Sequence, residues 1–220
     1  MKSPQIDKKY GLLHLLSHVY KGQTPGRILM NIELSKYTLR GKVADIGGGH
    51  RPDYFTYFKQ DPGAEVLSLD GLLQKIDFEK DRLPFEDGSI DTVILCNVLE
   101  HMYDYKHLLS EIKRIMAPQA QLIGWVPFWC NYHPDPHDYF RYTHEALEKI
   151  FHDTGFEHTT IKRVGRSPIY ANLENIILSV PRIFRPLLYV WYAGFDKVFL
   201  ALRPKSAKRC PLGFLFVGSK

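Results

Sequence analysis

The sequence predicts an α/β protein built on an open, mostly parallel sheet of about seven strands flanked by helices. Short apolar runs alternate with longer segments in which apolar residues recur at helical spacing, a pattern typical of strands joined by crossover helices. The first run leads into three glycines, Gly47–Gly49, and the second ends in an acid, Asp70. A glycine turn followed by an acidic strand end predicts a ligand site at the carboxyl edge of the sheet.

The chain begins with a predicted helical segment, residues 1–40. Leucines recur at helical spacing within Tyr10–Tyr20. Thr24 followed by Pro25 predicts the start of a second helix, because threonine caps helices and proline fits their first turn.

Strands and helices then alternate through a predicted core, residues 41–165, and a final strand lies within residues 210–220. One helix is expected over Tyr105–Met116, where Pro118 ends the pattern, and another from Thr143 through Thr154, with Gly155 as its terminator. The predicted strands are Lys42–Ile46, Ala64–Leu69, Thr92–Cys96, Gln121–Val126, Phe156–Arg163 and Phe214–Val217.

Residues 166–209 form a late insertion that is apolar, aromatic and basic. Pro181 and Pro186 divide it into two predicted helices. Two hypotheses stay open: a helical lid that packs over a substrate pocket, or a surface that lies on an anionic membrane. The sequence contains no recognisable nucleic-acid-binding module, so no nucleic acid partner is expected.

Composition excludes several classes of protein. The 220 residues are 45% hydrophobic and 24% charged, which is typical of a globular domain and disfavours disorder or coiled coil. The three cysteines form no CxxC pair, and this favours a reducing compartment. No apolar run approaches the roughly 20 residues that cross a bilayer, and no signal-peptide pattern is present. A cytoplasmic protein is expected, with peripheral membrane contact as the open alternative.

Charge is divided unequally along the chain. The net charge is +5, yet residues 162–220 contain eleven basic and two acidic residues, a balance of +9. The remaining residues have a balance of −4.

The glycine turn distinguishes between classes of nucleoside cofactor. Gly47 and Gly49 match half of a dinucleotide fingerprint, but the third position is Pro52. Asp45, just before the turn, would repel a pyrophosphate and attract an ammonium or sulfonium group. Asp70 suits the hydroxyls of a ribose. These residues favour S-adenosylmethionine over a nicotinamide dinucleotide.

The order of the motifs resembles the class I S-adenosylmethionine-dependent methyltransferases, in the group with LPF and LEH motifs. The matching segments are Asp45-Ile46-Gly47-Gly48-Gly49, Asp70, Asp77-Phe78, Leu83-Pro84-Phe85, and Leu99-Glu100-His101. The resemblance implies a Rossmann-like fold and S-adenosylmethionine as cofactor. Gly48 stands where many relatives have cysteine or alanine, a departure that we expect to be harmless.

The resemblance also implies cofactor contacts, position by position. Asp45, Gly47 and Gly49 would border the methionine moiety, and Asp70 would bind the ribose. The adenine and the underside of the cofactor would meet Asp77, Phe78 and Asn97.

A loop rich in histidine and aromatic residues follows the fifth strand. Its stretch His137-Asp138-Tyr139-Phe140-Arg141-Tyr142-Thr143 resembles the HDYxRYT segment of methyltransferases linked to surface-polysaccharide and lipid-linked sugar pathways. That resemblance implies O-methylation of a sugar or lipid-linked acceptor, with Tyr139 and Arg141 as candidate substrate contacts.

Three histidines are candidate catalytic residues: His137, His101 and His133. His137 is favoured as a general base, with local ordering of the loop as the alternative. Arg141 either binds an anionic group of the substrate or pairs with Asp138. A metal held by His133, His137 and neighbouring aspartates matches no zinc signature, so no metal is expected.

Two other functions remain alternatives. A non-catalytic nucleoside-binding or partner-binding member would keep the same fold. A nicotinamide-dependent oxidoreductase is disfavoured by Asp45 and Pro52.

Overall fold

The computed structural model describes residues 11–49, 53–156 and 158–220, so Tyr10 and Pro52, on which two sequence predictions rest, lie outside the described residues. The chain divides into two compact units. The helical unit comprises Met1–Leu34, Trp129–Asn131 and Arg163–Gly213, and the sheet unit comprises Ser35–Phe128, Tyr132–Lys162 and Phe214–Lys220. The N-terminal helices therefore group with the late insertion, which the sequence treated as separate segments.

Eight strands lie in the described part of the chain. They are β1 (Thr38–Leu39), β2 (Lys42–Ile46), β3 (Lys59–Gln60), β4 (Glu65–Leu69), β5 (Ile90–Cys96), β6 (Met116–Pro127), β7 (His158–Arg166) and β8 (Cys210–Ser219). Six form the main sheet in the order β4-β2-β5-β6-β8-β7, while β1 and β3 pair separately. β2 runs parallel to β4 and to β5, and β5 runs parallel to β6. The predicted α/β class is confirmed.

Seven α-helices accompany these strands within the described residues. They are α1 (Leu12–Tyr20), α2 (Pro25–Leu34), α3 (Gly71–Gln74), α4 (Tyr105–Ile115), α5 (His144–Asp153), α6 (Pro168–Ile176) and α7 (Arg185–Leu202). The side chains of Thr24 and Thr143 accept hydrogen bonds from backbone N–H groups of the first turns of α2 and α5, as capping predicts. Gly155 follows α5 with φ of +81°, a conformation that glycine adopts without strain.

Pro118 does not end its helix as predicted, whereas the prolines of the insertion do separate two helices. The chain leaves α4 at Ile115 and enters β6 at Met116, so the strand has begun before Pro118. The two helices predicted for the insertion are present as α6 and α7: Pro181 lies between them, and Pro186 lies in the first turn of α7, where its missing N–H breaks no helical hydrogen bond.

Hydrogen bonds attach the LPF motif to α4. Arg114 of α4 donates hydrogen bonds to the carbonyl oxygens of Leu83 and Phe85, at 3.0 and 2.9 Å. Glu111, one helical turn away, accepts from the backbone N–H of Leu83 at 2.8 Å. Because this segment contacts α4 so closely, its role in the fold is structural.

Buried carboxylates tie the helical unit together. Glu174 of α6 accepts from the backbone N–H of Gly26 in α2 at 2.6 Å, and burial raises the pKa of this carboxyl. Asp196 of α7 has no exposed surface, and it accepts from Arg166 Nε at 2.7 Å and from the N–H of Ser167 at 3.1 Å. Both acidic residues of the insertion are thus buried inside the helical unit.

None of the helices in the described residues is both long enough and apolar enough to cross a membrane.

We predict that Asp196→Ala destabilises the fold strongly. The substitution leaves the Arg166 guanidinium, which is 22% exposed, and a buried backbone N–H without their acceptor. Breaking a buried ion pair in this way costs about 3–5 kcal/mol. Urea unfolding followed by circular dichroism measures the loss. Asp61→Ala is the matched control, because Asp61 pairs with Arg40 at the surface, and its free energy of unfolding is expected to change little. Equal losses in both variants would contradict the prediction.

Candidate functional site

A cavity of about 410 Å³ opens at the carboxyl edge of β2, β4 and β5. All of its lining residues belong to the sheet unit. Eight of the residues singled out in the sequence line it: Gly47, Asp70, Asp77, Phe78, Asn97, His101, His137 and Tyr139. Asp45, Gly49, His133 and Arg141 are not among the lining residues.

The glycine turn is shaped by the carboxylate beneath it. Gly47 and Gly49 have φ of +74° and +68°, in the left-handed region that favours glycine. A Cβ on Gly48 would lie 1.6 Å from Asp45 Oδ2. Gly48 is therefore a steric requirement of this turn, because a side chain at this position has no room beside Asp45.

Asp45 is buried in β2, and only one of its two carboxylate oxygens accepts a hydrogen bond from a described residue. Its Oδ1 accepts a 2.6 Å hydrogen bond from the hydroxyl of Tyr54, while Oδ2 has no hydrogen-bond partner among the described residues. Burial raises the pKa of this carboxyl to about 7, although the Tyr54 bond opposes the shift. A cationic group nearby would favour the ionised form. Sequence reasoning missed Tyr54, which no motif marks.

Asp70 holds the turn that follows β4. Its Oδ1 caps the short helix α3 by accepting from the N–H groups of Leu72 and Leu73, each at 2.9 Å. Its Oδ2 lies on the side of Gly49, where a Cβ would be 3.8 Å away. The residue thus combines a fixed position with one carboxylate oxygen directed toward the glycine turn.

Asp77, Phe78 and Asn97 complete this side of the cavity. Asp77 accepts from Lys80 Nζ at 2.9 Å, and this bond lowers the pKa of the carboxyl. The Phe78 ring is buried against Gly71, where a Cβ would be 3.5 Å from it. Asn97 follows β5 with φ of +55°, a left-handed conformation that asparagine tolerates better than most residues.

Backbone hydrogen bonds dock the histidine-rich loop onto the LEH motif. The carbonyl oxygen of Glu100 accepts from the N–H groups of Tyr139 and Phe140, at 2.8 and 3.2 Å. The Tyr142 hydroxyl donates to the carbonyl of Leu99 at 3.1 Å. The ring of His101 contacts the carbonyl oxygen of His137 through Nδ1 at 2.5 Å. His101 and His137, 36 residues apart, therefore meet at the same wall of the cavity.

Asp138 and Arg141 form a two-point ion pair. Arg141 Nη2 donates to Asp138 Oδ2 at 2.7 Å, and its Nη1 donates to Oδ1 at 2.5 Å. This guanidinium holds the pKa of Asp138 far below its usual range. The backbone N–H of His133 also donates to Asp138, at 3.0 Å. Of the two alternatives for Arg141, an ion pair with Asp138 or a contact with an anionic substrate group, the structure shows the ion pair.

A buried glutamate is the site residue that sequence reasoning left without a role. Glu100 has no exposed surface, and neither of its carboxylate oxygens has a hydrogen-bond partner among the described residues. Its position in the LEH motif was the only available signal.

We predict that Asp45→Asn raises stability in a pH-dependent way. Because the folded-state pKa is about 7 against an ordinary 3.8, the folded protein retains a proton that the unfolded chain has lost. The free energy of unfolding therefore falls as pH rises from about 4 to 7, and the variant removes this loss. The gain of the variant over wild type should grow by on the order of 3 kcal/mol between pH 5 and pH 8, because about two pH units of this range lie below the folded-state pKa. Urea unfolding at pH 5 and pH 8 measures it, and a gain independent of pH would contradict the assignment.

Comparison with known proteins gives a family match over part of the chain. Residues 56–124 match the model of a methyltransferase domain. A curated relative named probable tocopherol O-methyltransferase, chloroplastic, from Oryza sativa subsp. japonica is 35% identical over 77 residues, or 34% of this chain. The chain spans only 21% of the length of this relative and 36% of the length of a second curated relative.

Solved structures match over nearly the whole chain. A phosphoethanolamine N-methyltransferase from Haemonchus contortus, in complex with S-adenosyl-L-methionine, superposes with a TM-score of 0.56 at 18% identity, covering 97% of this chain and 58% of that one. An S-adenosylmethionine-dependent methyltransferase from Archaeoglobus fulgidus gives 0.55 at 16% identity, covering 94% and 99%. The chain therefore has the Rossmann-like fold found in S-adenosylmethionine-dependent methyltransferases.

Proposed function

We propose that this protein is an S-adenosylmethionine-dependent methyltransferase that methylates an oxygen of a small, sugar or lipid-linked acceptor. The observation that carries the proposal is the joint lining of one cavity by Gly47, Asp70 and Asn97, at the carboxyl edge of parallel strands. That edge is where open α/β sheets bind their ligands, and the cavity volume falls in the range of small-molecule sites.

The charges of the site favour a cationic cofactor. Asp45 stands beneath the glycine turn, where an ammonium or sulfonium group would stabilise its ionised form and a pyrophosphate would oppose it. Asp70 Oδ2 supplies an acceptor for ribose hydroxyls. The same features disfavour a nicotinamide dinucleotide.

Methyl transfer requires little from the protein beyond alignment of the acceptor oxygen with the methyl group and one base that takes the hydroxyl proton. The acceptor oxygen forms a bond to the methyl carbon as the carbon–sulfur bond breaks, and that electron pair returns to sulfur, giving S-adenosylhomocysteine. The proton of the acceptor hydroxyl passes to an imidazole. His137 is the proposed base, because this exposed residue lines the cavity and its ring packs against Tyr139, with ring centres 5.2 Å apart.

An apolar acceptor or a lipid surface fits the helical unit. One face of α7 carries exposed apolar side chains at helical spacing, including Leu187 at 71%, Trp191 at 58% and Leu202 at 76% exposure. We call this face the α7 stripe, which consists of Leu187, Trp191, Phe195, Val198 and Leu202. The probable tocopherol O-methyltransferase described above acts, by its name, on tocopherol.

The charge around the α7 stripe has a single sign. The described part of the helical unit has three acidic residues, Glu33, Glu174 and Asp196, and all are buried. Basic residues such as Arg182, Lys197 and Lys205 border the stripe in sequence. Apolar side chains flanked by basic residues favour contact with an anionic membrane surface. We therefore propose that the insertion contacts a membrane rather than forming a lid over the substrate pocket.

Binding of S-adenosylhomocysteine tests the cofactor proposal. Calorimetry with the full chain should give one equivalent bound, and Asp70→Asn should weaken it. The asparagine Oδ1 can still cap α3, so the variant loses the charged acceptor and keeps the turn. Loss of a hydrogen bond to a charged group predicts a weakening of about 10- to 100-fold.

The matched control is Asp61→Asn, a half-exposed acid of the same unit that should bind like wild type. No binding by the wild-type protein, equal affinities of the Asp70 and Asp61 variants, or preferential binding of NADH would overturn the proposal.

Co-sedimentation with vesicles tests the membrane proposal. The protein should pellet with phosphatidylcholine vesicles that contain phosphatidylserine and much less with phosphatidylcholine alone. Replacing Leu187 and Trp191 together by glutamine should reduce binding at least about tenfold, because each side chain loses its apolar transfer energy. Val66→Gln, at an exposed position on β4, is the control. Equal pelleting with both kinds of vesicle, or by all variants, would contradict the proposal.

A further inference from the structure

We propose that Glu100, His101 and His133 form a binding site for a divalent transition-metal cation at the edge of the cofactor cavity. The three side chains come from the LEH motif and from the histidine-rich loop, 32 residues further along the chain. The sequence alone predicted no metal here, and its alternative ligand set was a different one, centred on His133 and His137.

The donor atoms already converge. Glu100 Oε1 lies 3.8 Å from His101 Nε2 and 3.7 Å from His133 Nε2, and all three donors lie within 4.8 Å of one another. Two ligands bonded at 2.0–2.2 Å to one ion stand about 3.0–3.5 Å apart. Small side-chain rotations therefore bring the set to coordination distance, with no change in the backbone.

The buried carboxylate is the strongest argument for a cation. Glu100 is fully buried, with both oxygens lacking a hydrogen-bond donor among the described residues. An ionised carboxylate in such surroundings is costly unless it is paired or coordinates a metal. A divalent ion would supply the missing partner.

The His101 ring is oriented for this role by a second contact. Its Nδ1 faces the carbonyl oxygen of His137, which can only accept, so the proton belongs on Nδ1. Nε2 is then left with its lone pair on the side of Glu100. A backbone carbonyl that fixes the tautomer in this way is a common partner of metal-ligating histidines.

Asp138 supports His133 in the same manner. His133 Nδ1 lies 3.6 Å from Asp138 Oδ2, while Nε2 points to Glu100. The two-point ion pair with Arg141 keeps the Asp138 carboxylate in place. In this structure His133 Nδ1 also lies 3.4 Å from Arg141 Nη2, which can only donate. Metal binding at Nε2 would place the proton on Nδ1 and exchange that contact for donation to the Asp138 carboxylate, giving the carboxylate–histidine–metal arrangement.

Two imidazoles and one carboxylate suit Zn²⁺, Mn²⁺, Co²⁺ or Fe²⁺ better than Mg²⁺, which prefers oxygen ligands. His101 lines the cavity, so positions on the ion not taken by protein would face an acceptor. If the proposed methyl transfer is correct, the ion would hold the acceptor hydroxyl and lower its pKa, easing loss of the proton to His137.

Titration with metal alone, in the absence of cofactor, tests the site. The full chain, stripped with a chelator, is titrated with Zn²⁺ by calorimetry and with Co²⁺ by visible absorption. We expect one equivalent of each at micromolar or tighter affinity, weaker binding of Mg²⁺, and a cobalt spectrum that indicates nitrogen ligands. Glu100→Gln and His133→Gln should each weaken binding about tenfold or more.

His152→Gln is the matched control, since this exposed histidine of α5 lies outside the cluster. His133 is 41% exposed, so its variant serves if Glu100→Gln fails to fold by circular dichroism. Absence of stoichiometric binding at millimolar metal, or weakening no larger than in His152→Gln, overturns the inference. Because S-adenosylhomocysteine binding is measured separately, failure of the metal site and failure of the proposed methyltransferase give different results.

Discussion

Asp45 and the glycine turn fix each other's position. The carboxylate occupies the space that a Cβ of Gly48 would need, and Tyr54 holds its other oxygen, so the turn cannot carry a side chain there. Burial raises the pKa of this carboxyl to about 7, so the charge of Asp45 near neutral pH depends on the charge of the group that binds next to the glycine turn. The remaining features of the cavity are arranged around this one constraint, because the turn sets how closely a ligand can approach β2.

Backbone contacts bring the second half of the site to the first. The carbonyl of Glu100 accepts from the N–H groups of two residues of the histidine-rich loop, and this places the loop beside the end of β5. The result is one wall that contains His101 and His137 and, behind it, the carboxylate of Glu100. The proposed base and the proposed metal site thus depend on the same docking of the loop.

The elements that sequence could predict are those with local signals. Threonine caps mark the starts of α2 and α5, and the apolar run before the glycines marks β2. The short helix α3 was missed because its cap is the same Asp70 that was assigned only to a ligand. Tyr54 and the pairing of Glu100 with His133 were missed because they depend on tertiary contacts between distant segments. The burial of Glu174 and Asp196 likewise follows only from packing. Because these two acids are inside the helical unit, its surface is more strongly basic than the numbers of acidic and basic residues in the sequence suggest.

The most direct test of the role of Asp45 is the pH dependence of S-adenosylhomocysteine affinity, measured by calorimetry between pH 6 and pH 8. With a pKa of about 7 in the free protein, Asp45 ionises across this range, and its anion would attract the ammonium group of the ligand. The account predicts that wild-type affinity rises with pH and that the rise is lost in Asp45→Asn. The same pH dependence in both proteins would contradict it.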